Sequence, residues 1–391
     1  MSIARLEILL LIAAVVAMLA RRFRFPYTVG LVFTGIAISF LSFGQNITMT
    51  KELVFTVLLP PLIFEAAIFL PWNELRKEAV VVISMATVGV VLAAGIVTIG
   101  MHFVAGWPLL SAAIFGALIA ATDPVSVIAT FKESGVHGRL RLLVEAESLF
   151  NDGTAAVAFG VLLAIAQGMS PSPGSISLDV IQVVGGGIFC GGLVALVMLY
   201  IAGKTTDHLI EITFTTVAAY GSFLLAEHFH CSGVLSTLTA GLIVGNQGQL
   251  GTISSKGRES VEVFWEYIAF VSNSLVFLLI GIHEAEQNFS ALWVTAIIAI
   301  ALVKLGRAVA VYPVCFLFSR GKNKVPSSYQ HIMFWGGLRG ALSLALALGL
   351  PVDLPYRNQI VTMAFAVVAF SVIVQGLTMI PLLRHFGELD S

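Results

Sequence analysis

Apolar runs close to twenty residues long follow one another along the whole chain. A run of that length crosses the hydrocarbon core of a bilayer as a helix. A helix also satisfies its own backbone N–H and C=O groups where no water is available. Thirteen such segments can be marked, at about 4–20, 26–42, 52–70, 79–105, 109–131, 141–167, 179–203, 208–228, 232–246, 262–282, 289–319, 328–350 and 358–383. Strands of a membrane barrel alternate apolar and polar residues, and these runs do not. Of the 391 residues, 58% are hydrophobic and 11% charged, with a mean hydropathy of +0.96. A soluble domain carries about 25% charged residues. The expected class is therefore an all-α integral membrane protein with about 13 transmembrane helices. Connections are short, so residues 1–391 read as one transmembrane domain with no soluble regulatory domain. The polar stretch 247–261 reads as the longest loop, with a surface helix in it. The basic cluster Arg21-Arg22-Phe23-Arg24 follows the first run instead of preceding it, so that run reads as a retained helix. Cys190, Cys231 and Cys315 are scattered through apolar sequence and read as buried small side chains. A formal net charge of -1 implies no attraction to nucleic acid.

Lys and Arg collect in cytoplasmic loops, which gives the chain an orientation. Odd-numbered loops carry Arg21, Arg22, Arg24, Arg76, Lys77, Lys132, Arg139, Arg141, Lys204, Lys256, Arg258, Arg320, Lys322 and Lys324, and the tail adds Arg384. Fifteen of the 21 basic residues thus fall on one side; Arg5, Lys51 and Arg357 fall on the other. The N-terminus is expected outside and the C-terminus in the cytoplasm.

An odd number of spans divides into six, a linker and six. Residues 1–167 and 208–391 would be inverted repeats, joined by a linker helix at about 179–203. Spans 5 and 12 then correspond, and both are interrupted. Span 5 holds "ATDPVS" at 121–126, with Pro124 in mid-membrane. Span 12 holds "WGGLRGALS" at 335–343, with three glycines and Arg339. Broken segments at matching positions of two halves point to a transporter's binding site.

Ionisable groups inside the apolar runs are costly there and mark function or pairing. They are Glu65, Asp123, Glu147, Asp152, Lys304, Arg307 and Arg339. Pro124 disfavours helix at Asp123. The unwound chain there would offer carbonyls beside the Asp123 carboxylate and the Thr122 hydroxyl, an oxygen cluster suited to a small alkali cation. Asp123 is also a good cap for the second half-helix. In "ESLFND" (147–152), Glu147 and Asn151 are four apart, as are Ser148 and Asp152, so all four share one broad helical arc. Asp152 can hold a proton or a cation in competition, or belong to a structural polar network. A Glu147–Arg307 pair would leave Asp152 free to titrate. Lys304, in the same span, could be a proton carrier in principle, because buried lysines shift their pKa readily. Arg339 is placed to neutralise half-helix C-terminal ends or to meet an acidic group. Glu65, beside Pro60-Pro61, reads as a supporting network charge. "EHFHC" (227–231) has no second ligand cluster and reads as an outer turn.

Five segments together resemble the cation/proton antiporter superfamily. They are "LPPLIFEAAIFLP" (59–71), "ATDPVSVIATF" (121–131), "EAESLFNDGTAAVAF" (145–159), "AAYGSFLLAEHFHCSGVLSTLTAGLIVGN" (218–246) and "FWGGLRGALSLALAL" (334–348). The similarity is to the monovalent cation:proton antiporter-1 branch, which includes bacterial NhaP-type antiporters and animal sodium/proton exchangers. The resemblance implies a homodimer in the cell inner (plasma) membrane, contributing to pH homeostasis. Each chain would have a dimerisation domain and a core domain with crossed, broken helices, the core moving as an elevator. It implies a cation and proton site at Thr122, Asp123, Glu147, Ser148, Asn151 and Asp152, with Asp152 as the ion-binding aspartate. Arg307 would be the buried partner of Glu147. Asn151 marks the branch typical of electroneutral exchangers. Ala146 stands where a glycine is common, and the long tail of animal exchangers is absent, so tail-based regulation is not expected.

The expected function is exchange of one Na⁺ or Li⁺ for one H⁺ by alternating access, without a cofactor and without enzymatic chemistry. Potassium/proton exchange is the nearest alternative, because Na⁺ versus K⁺ turns on site dimensions. A passive cation channel is disfavoured by the paired broken spans. An intramembrane aspartyl protease is disfavoured by the absence of a Gly-x-Gly-Asp element.

Overall fold

The computed structural model describes residues 3–23, 25–41, 49–123, 127–128, 131, 135–169, 173–247, 254–285, 292–321 and 323–388. Among the described residues every regular element is helical. In order they are α1 (Ile3–Phe23), α2 (Tyr27–Ser39), α3 (Leu53–Ile68), α4 (Trp72–Phe103), α5 (Leu109–Ala120), α6 (Arg139–Ala166) and α7 (Pro173–Ala202). Then come α8 (His208–His228), α9 (Gly233–Gln247), α10 (Ser255–Glu284), α11 (Trp293–Leu317), α12 (Ser327–Gly336), α13 (Ala341–Leu348) and α14 (Arg357–His385). Eight of the described helical stretches are long and apolar enough to cross a membrane, counting α12 and α13 as one; four more are apolar but shorter. With α1, these follow the thirteen expected segments in order.

Both expected interruptions are present. α5 stops at Ala120, residues 121–123 are not helical, and residues 127–128 are helical again. Pro124 lies outside the described residues. So do Arg24, Lys132, Lys322 and residues 248–253 of the polar stretch. Residues 337–340 separate α12 from α13.

Several basic residues expected in loops are instead in helix. α4 begins at Trp72, so Arg76 and Lys77 are in its first turns, and Arg139 and Arg141 open α6. These helices begin ahead of their apolar runs, and some of the charges there are paired. Arg139 makes a two-pronged contact with Glu78, 2.7 and 2.9 Å. Arg258 meets Glu262 one turn on at 2.9 Å.

Proline shapes α3 at its centre. Pro60 and Pro61 lack N–H groups, and the turn before them, Leu53–Leu58, is a wider π-helical one. Pro61 cannot donate to the carbonyl of Val57; the Tyr220 hydroxyl does so instead, at 3.0 Å.

A large apolar core surrounds the two breaks, drawing on α5, α6, α11 and α14 among others. A smaller one, around Phe64, Leu199, Ala219, Ala240 and Trp265, joins α3 to α7–α10. In lipid no hydrophobic force drives helices together, so small residues and close backbones do the packing. Gly35 of α2 and Gly281 of α10 face each other, and a Cβ on either would meet the other helix's backbone. All three cysteines are buried and free.

Candidate functional site

The two breaks rest against each other, which settles where their backbone groups go. An unpaired backbone group away from water costs as much as a lost hydrogen bond. Asp123 N–H donates to the Leu338 carbonyl at 2.8 Å. Thr122 N–H donates to Asn151 Oδ1 at 3.1 Å. The carbonyls of Ala120 and Ala121, at the C-terminal end of α5, both accept from Arg339 Nη1, at 2.6 and 2.8 Å. The sequence led us to expect open carbonyls here. A guanidinium occupies these two, because a buried helix C-terminus carries partial negative charge and Arg339 is itself only 2% exposed.

The C-terminal end of α12 is capped in the same manner. Arg307 donates through Nε and Nη2 to the Met333 carbonyl, at 3.2 and 2.9 Å. Lys304 Nζ reaches the Phe334 carbonyl at 3.3 Å and lies over the Phe334 and Trp335 rings, 4.4 and 4.6 Å from their centroids. Gln375, on the π-helical turn of α14, donates to the Trp335 carbonyl.

α6 supplies the polar arc. Glu147 is held by Arg307 through two parallel bonds, Nη1 to Oε1 at 2.7 Å and Nη2 to Oε2 at 2.8 Å. Asn151 Nδ2 donates to Glu147 Oε1 at 2.9 Å and to Thr122 Oγ1 at 2.6 Å. Ser148 Oγ shares a hydrogen bond with Thr122 Oγ1 at 2.9 Å. Thr122, Glu147, Ser148, Asn151 and Arg307 thus form one buried network. Charged two-pronged pairs of this kind are strong, and removal of one partner leaves a buried charge.

Asp152 stands apart from that network. Its side chain is buried, and Oδ1 makes no hydrogen bond in the structure. It lines a partly open cavity where α3, α6 and the two breaks meet. Thr122, Asp123 and Ser343 supply the other oxygen-bearing side chains of that lining; Leu59, Leu62 and Ile63 of α3 form an apolar wall. Asp123 packs against Gly340, where a Cβ would collide with the carboxyl group. Gly340 immediately precedes α13, so the Asp123 carboxylate sits at the positive end of that half-helix. Gly337 likewise leaves room for the Arg307 guanidinium.

The structure therefore places Asp123, Thr122 and Asp152 on one cavity. Glu147, Ser148, Asn151 and Arg307 lie behind it, and Arg339 and Lys304 cap the half-helix ends. Glu65, half-buried on α3, is not among the cavity's lining residues. Ser343 is a cavity residue that sequence reasoning did not single out, although it ends the quoted motif of the broken span. Four of the twelve lining residues carry side-chain oxygens; the others are glycine or apolar.

The sequence profile described as "Sodium/hydrogen exchanger, transmembrane" matches residues 9–385 of the chain. The Na⁺/H⁺ antiporter ApNhaP of Aphanothece halophytica is 39% identical over 370 residues, covering 93% of this chain and 70% of that protein. The Na⁺/H⁺ antiporter NhaH of Halobacillus aidingensis is 33% identical, covering 97% of this chain and 96% of its own length. Among solved structures, the sodium proton antiporter MjNhaP1 of Methanocaldococcus jannaschii shares the fold. Its TM-score is 0.77 at 19% identity, with 99% of this chain and 96% of that one covered.

Proposed function

The chain belongs to the transmembrane sodium/hydrogen exchanger family, and we propose that it exchanges one Na⁺ for one H⁺, with Asp152 taking up either ion in alternation. The observation that carries this reading is the contrast between two carboxyls on one helix. Glu147 is neutralised by a two-pronged bond to Arg307, whereas Asp152 Oδ1 is buried, makes no hydrogen bond and lines the cavity. A proton and a cation both satisfy a carboxylate there, and each excludes the other. Sodium is the cation named for the relatives, which favours Na⁺ over K⁺ here.

The charge balance supports a 1:1 exchange. Arg307 fixes Glu147. Arg339 is committed to the end of α5 and Lys304 to the end of α12. Asp123 offsets the positive end of α13 and draws a cation into the cavity. One carboxyl, Asp152, is then left to exchange one ion for one proton. Lys304 acts as an anchor in this scheme, since its ammonium lies against α12.

Alternating access follows from movement of the broken-helix core against α7–α10, whose packing forms the smaller apolar cluster. The exposed apolar stripe on α7, with Ile181, Phe189, Leu196 and Tyr200, is assigned to lipid and to a second copy of the chain. The N-terminus is assigned to the outside and the C-terminus to the cytoplasm, an orientation that the fifteen basic residues of the odd loops and tail favour.

The test is Na⁺-driven proton movement in proteoliposomes. Asp152→Asn, correctly folded and reconstituted, should show none. Exchange at the rate of the unmodified protein in that variant would refute the role given to Asp152.

A further inference from the structure

Four side chains with oxygen line the cavity, and they are not equally engaged. The Thr122 hydroxyl is taken up by Asn151 and Ser148. Asp123 packs on Gly340. The buried oxygens of the lining that make no hydrogen bond are, besides Asp123 Oδ2, Asp152 Oδ1 and Ser343 Oγ. Ser343 is 1% exposed and occupies the third position of α13. A buried hydroxyl without a partner is costly, so such a group in a native cavity points to a ligand. Asp152 Oδ1 and Ser343 Oγ come from different elements, one from α6 and one from the second broken segment.

We propose that Ser343 Oγ is a direct ligand of the transported cation, together with the Asp152 carboxylate, and the only side-chain oxygen that the second break contributes to the cavity lining. The proposal rests on the exchange reading above. A dehydrated alkali ion needs several oxygens around it, as a hard cation does. Asp152 alone gives charge without enclosure. A hydroxyl from α13 adds an oxygen to the cation's shell without adding charge, and it makes no hydrogen bond to Asp152 through which a proton there would gain. Ser343 therefore acts on cation affinity and not on proton affinity. It also links the ion to both α6 and α13, so that loading is felt by the two elements at once.

The experiment measures the KM for Na⁺ across pH in proteoliposomes, with unmodified protein, Ser343→Ala, Ser343→Cys and Ser274→Ala. Ser274 Oγ is another buried hydroxyl without a hydrogen bond, on α10 and away from the cavity lining. Ser343→Ala should raise the KM at alkaline pH by about tenfold, the equivalent of one neutral ligand at about 1.4 kcal/mol. The rate at saturating Na⁺ and the proton inhibition constant should stay near those of the unmodified protein. Ser343→Cys keeps the volume but offers a soft sulfur, so its KM should rise as well; it replaces the alanine variant should that one not fold. Ser274→Ala should leave KM unchanged. An unaltered KM in Ser343→Ala or Ser343→Cys overturns the proposal. So does a shift of the proton constant in step with KM, which would place the hydroxyl on the carboxyl and not on the ion. Asp152→Asn, run alongside, separates the two claims: activity in that variant removes the exchange reading itself, whatever Ser343 does.

Discussion

Glu147 and Asp152 lie on one helix, and their surroundings give them opposite tasks. Glu147 shares two hydrogen bonds with Arg307 and one with Asn151. Arg307→Met should leave an unpaired buried carboxylate and cost about 3–5 kcal/mol, read as a fall in the melting temperature of the purified protein. Removal of both charges, in Arg307→Met with Glu147→Leu, should cost less than Arg307→Met alone; a larger loss in the double variant would contradict the pairing. Glu147 and Arg307 were legible in the sequence because charges inside apolar runs are rare and must be satisfied. Ser343 was not legible. Hydroxyls in membrane helices commonly bond to the carbonyl one turn back, as Thr34, Thr87 and Thr98 do. One more serine in an apolar helix therefore carries no signal until its lack of a partner is seen.

At the scale of elements, the two breaks function as one unit because each supplies groups to the other. Arg339 from the second break caps α5, and Asp123 from the first packs on Gly340 before α13. Gly340→Ala should push the Asp123 carboxyl aside and remove most exchange, with the protein still monodisperse and helical. Normal exchange with an alanine there would show that this close approach does not matter. Arg339→Ala should free two buried carbonyls and lower stability by about 1–3 kcal/mol for each group left unsatisfied, measured by thermal unfolding in detergent. The existence of both breaks was readable from Pro124 and the three glycines. Their contact was not, because residues 120–123 and 336–340 are more than two hundred positions apart and no local pattern encodes which carbonyl Arg339 will reach. Helix ends were also misjudged at Trp72 and Arg139. Charged residues that pair with one another, as Arg139 does with Glu78, let a helix continue beyond its apolar run.

For the whole molecule, a single carboxyl that carries either Na⁺ or H⁺ makes the two loaded states equal in charge. A membrane potential imposed with valinomycin should then leave the exchange rate unchanged, and clear acceleration would contradict the 1:1 ratio. The orientation is open to a similar check. A single cysteine introduced near Arg384, in a background lacking Cys190, Cys231 and Cys315, should react with an impermeant maleimide in inside-out vesicles and not in intact cells. The central claim is that Na⁺ and H⁺ compete for Asp152. It is tested most directly by the KM for Na⁺ as a function of pH in the unmodified protein. On the acid side each unit of falling pH should raise KM by about tenfold, as the proton occupies the carboxyl that the cation needs. On the alkaline side KM should reach a plateau, and the rate at saturating Na⁺ should vary far less than KM. A KM that stays constant across pH while the maximal rate changes would mean that the two ions do not share one carboxyl.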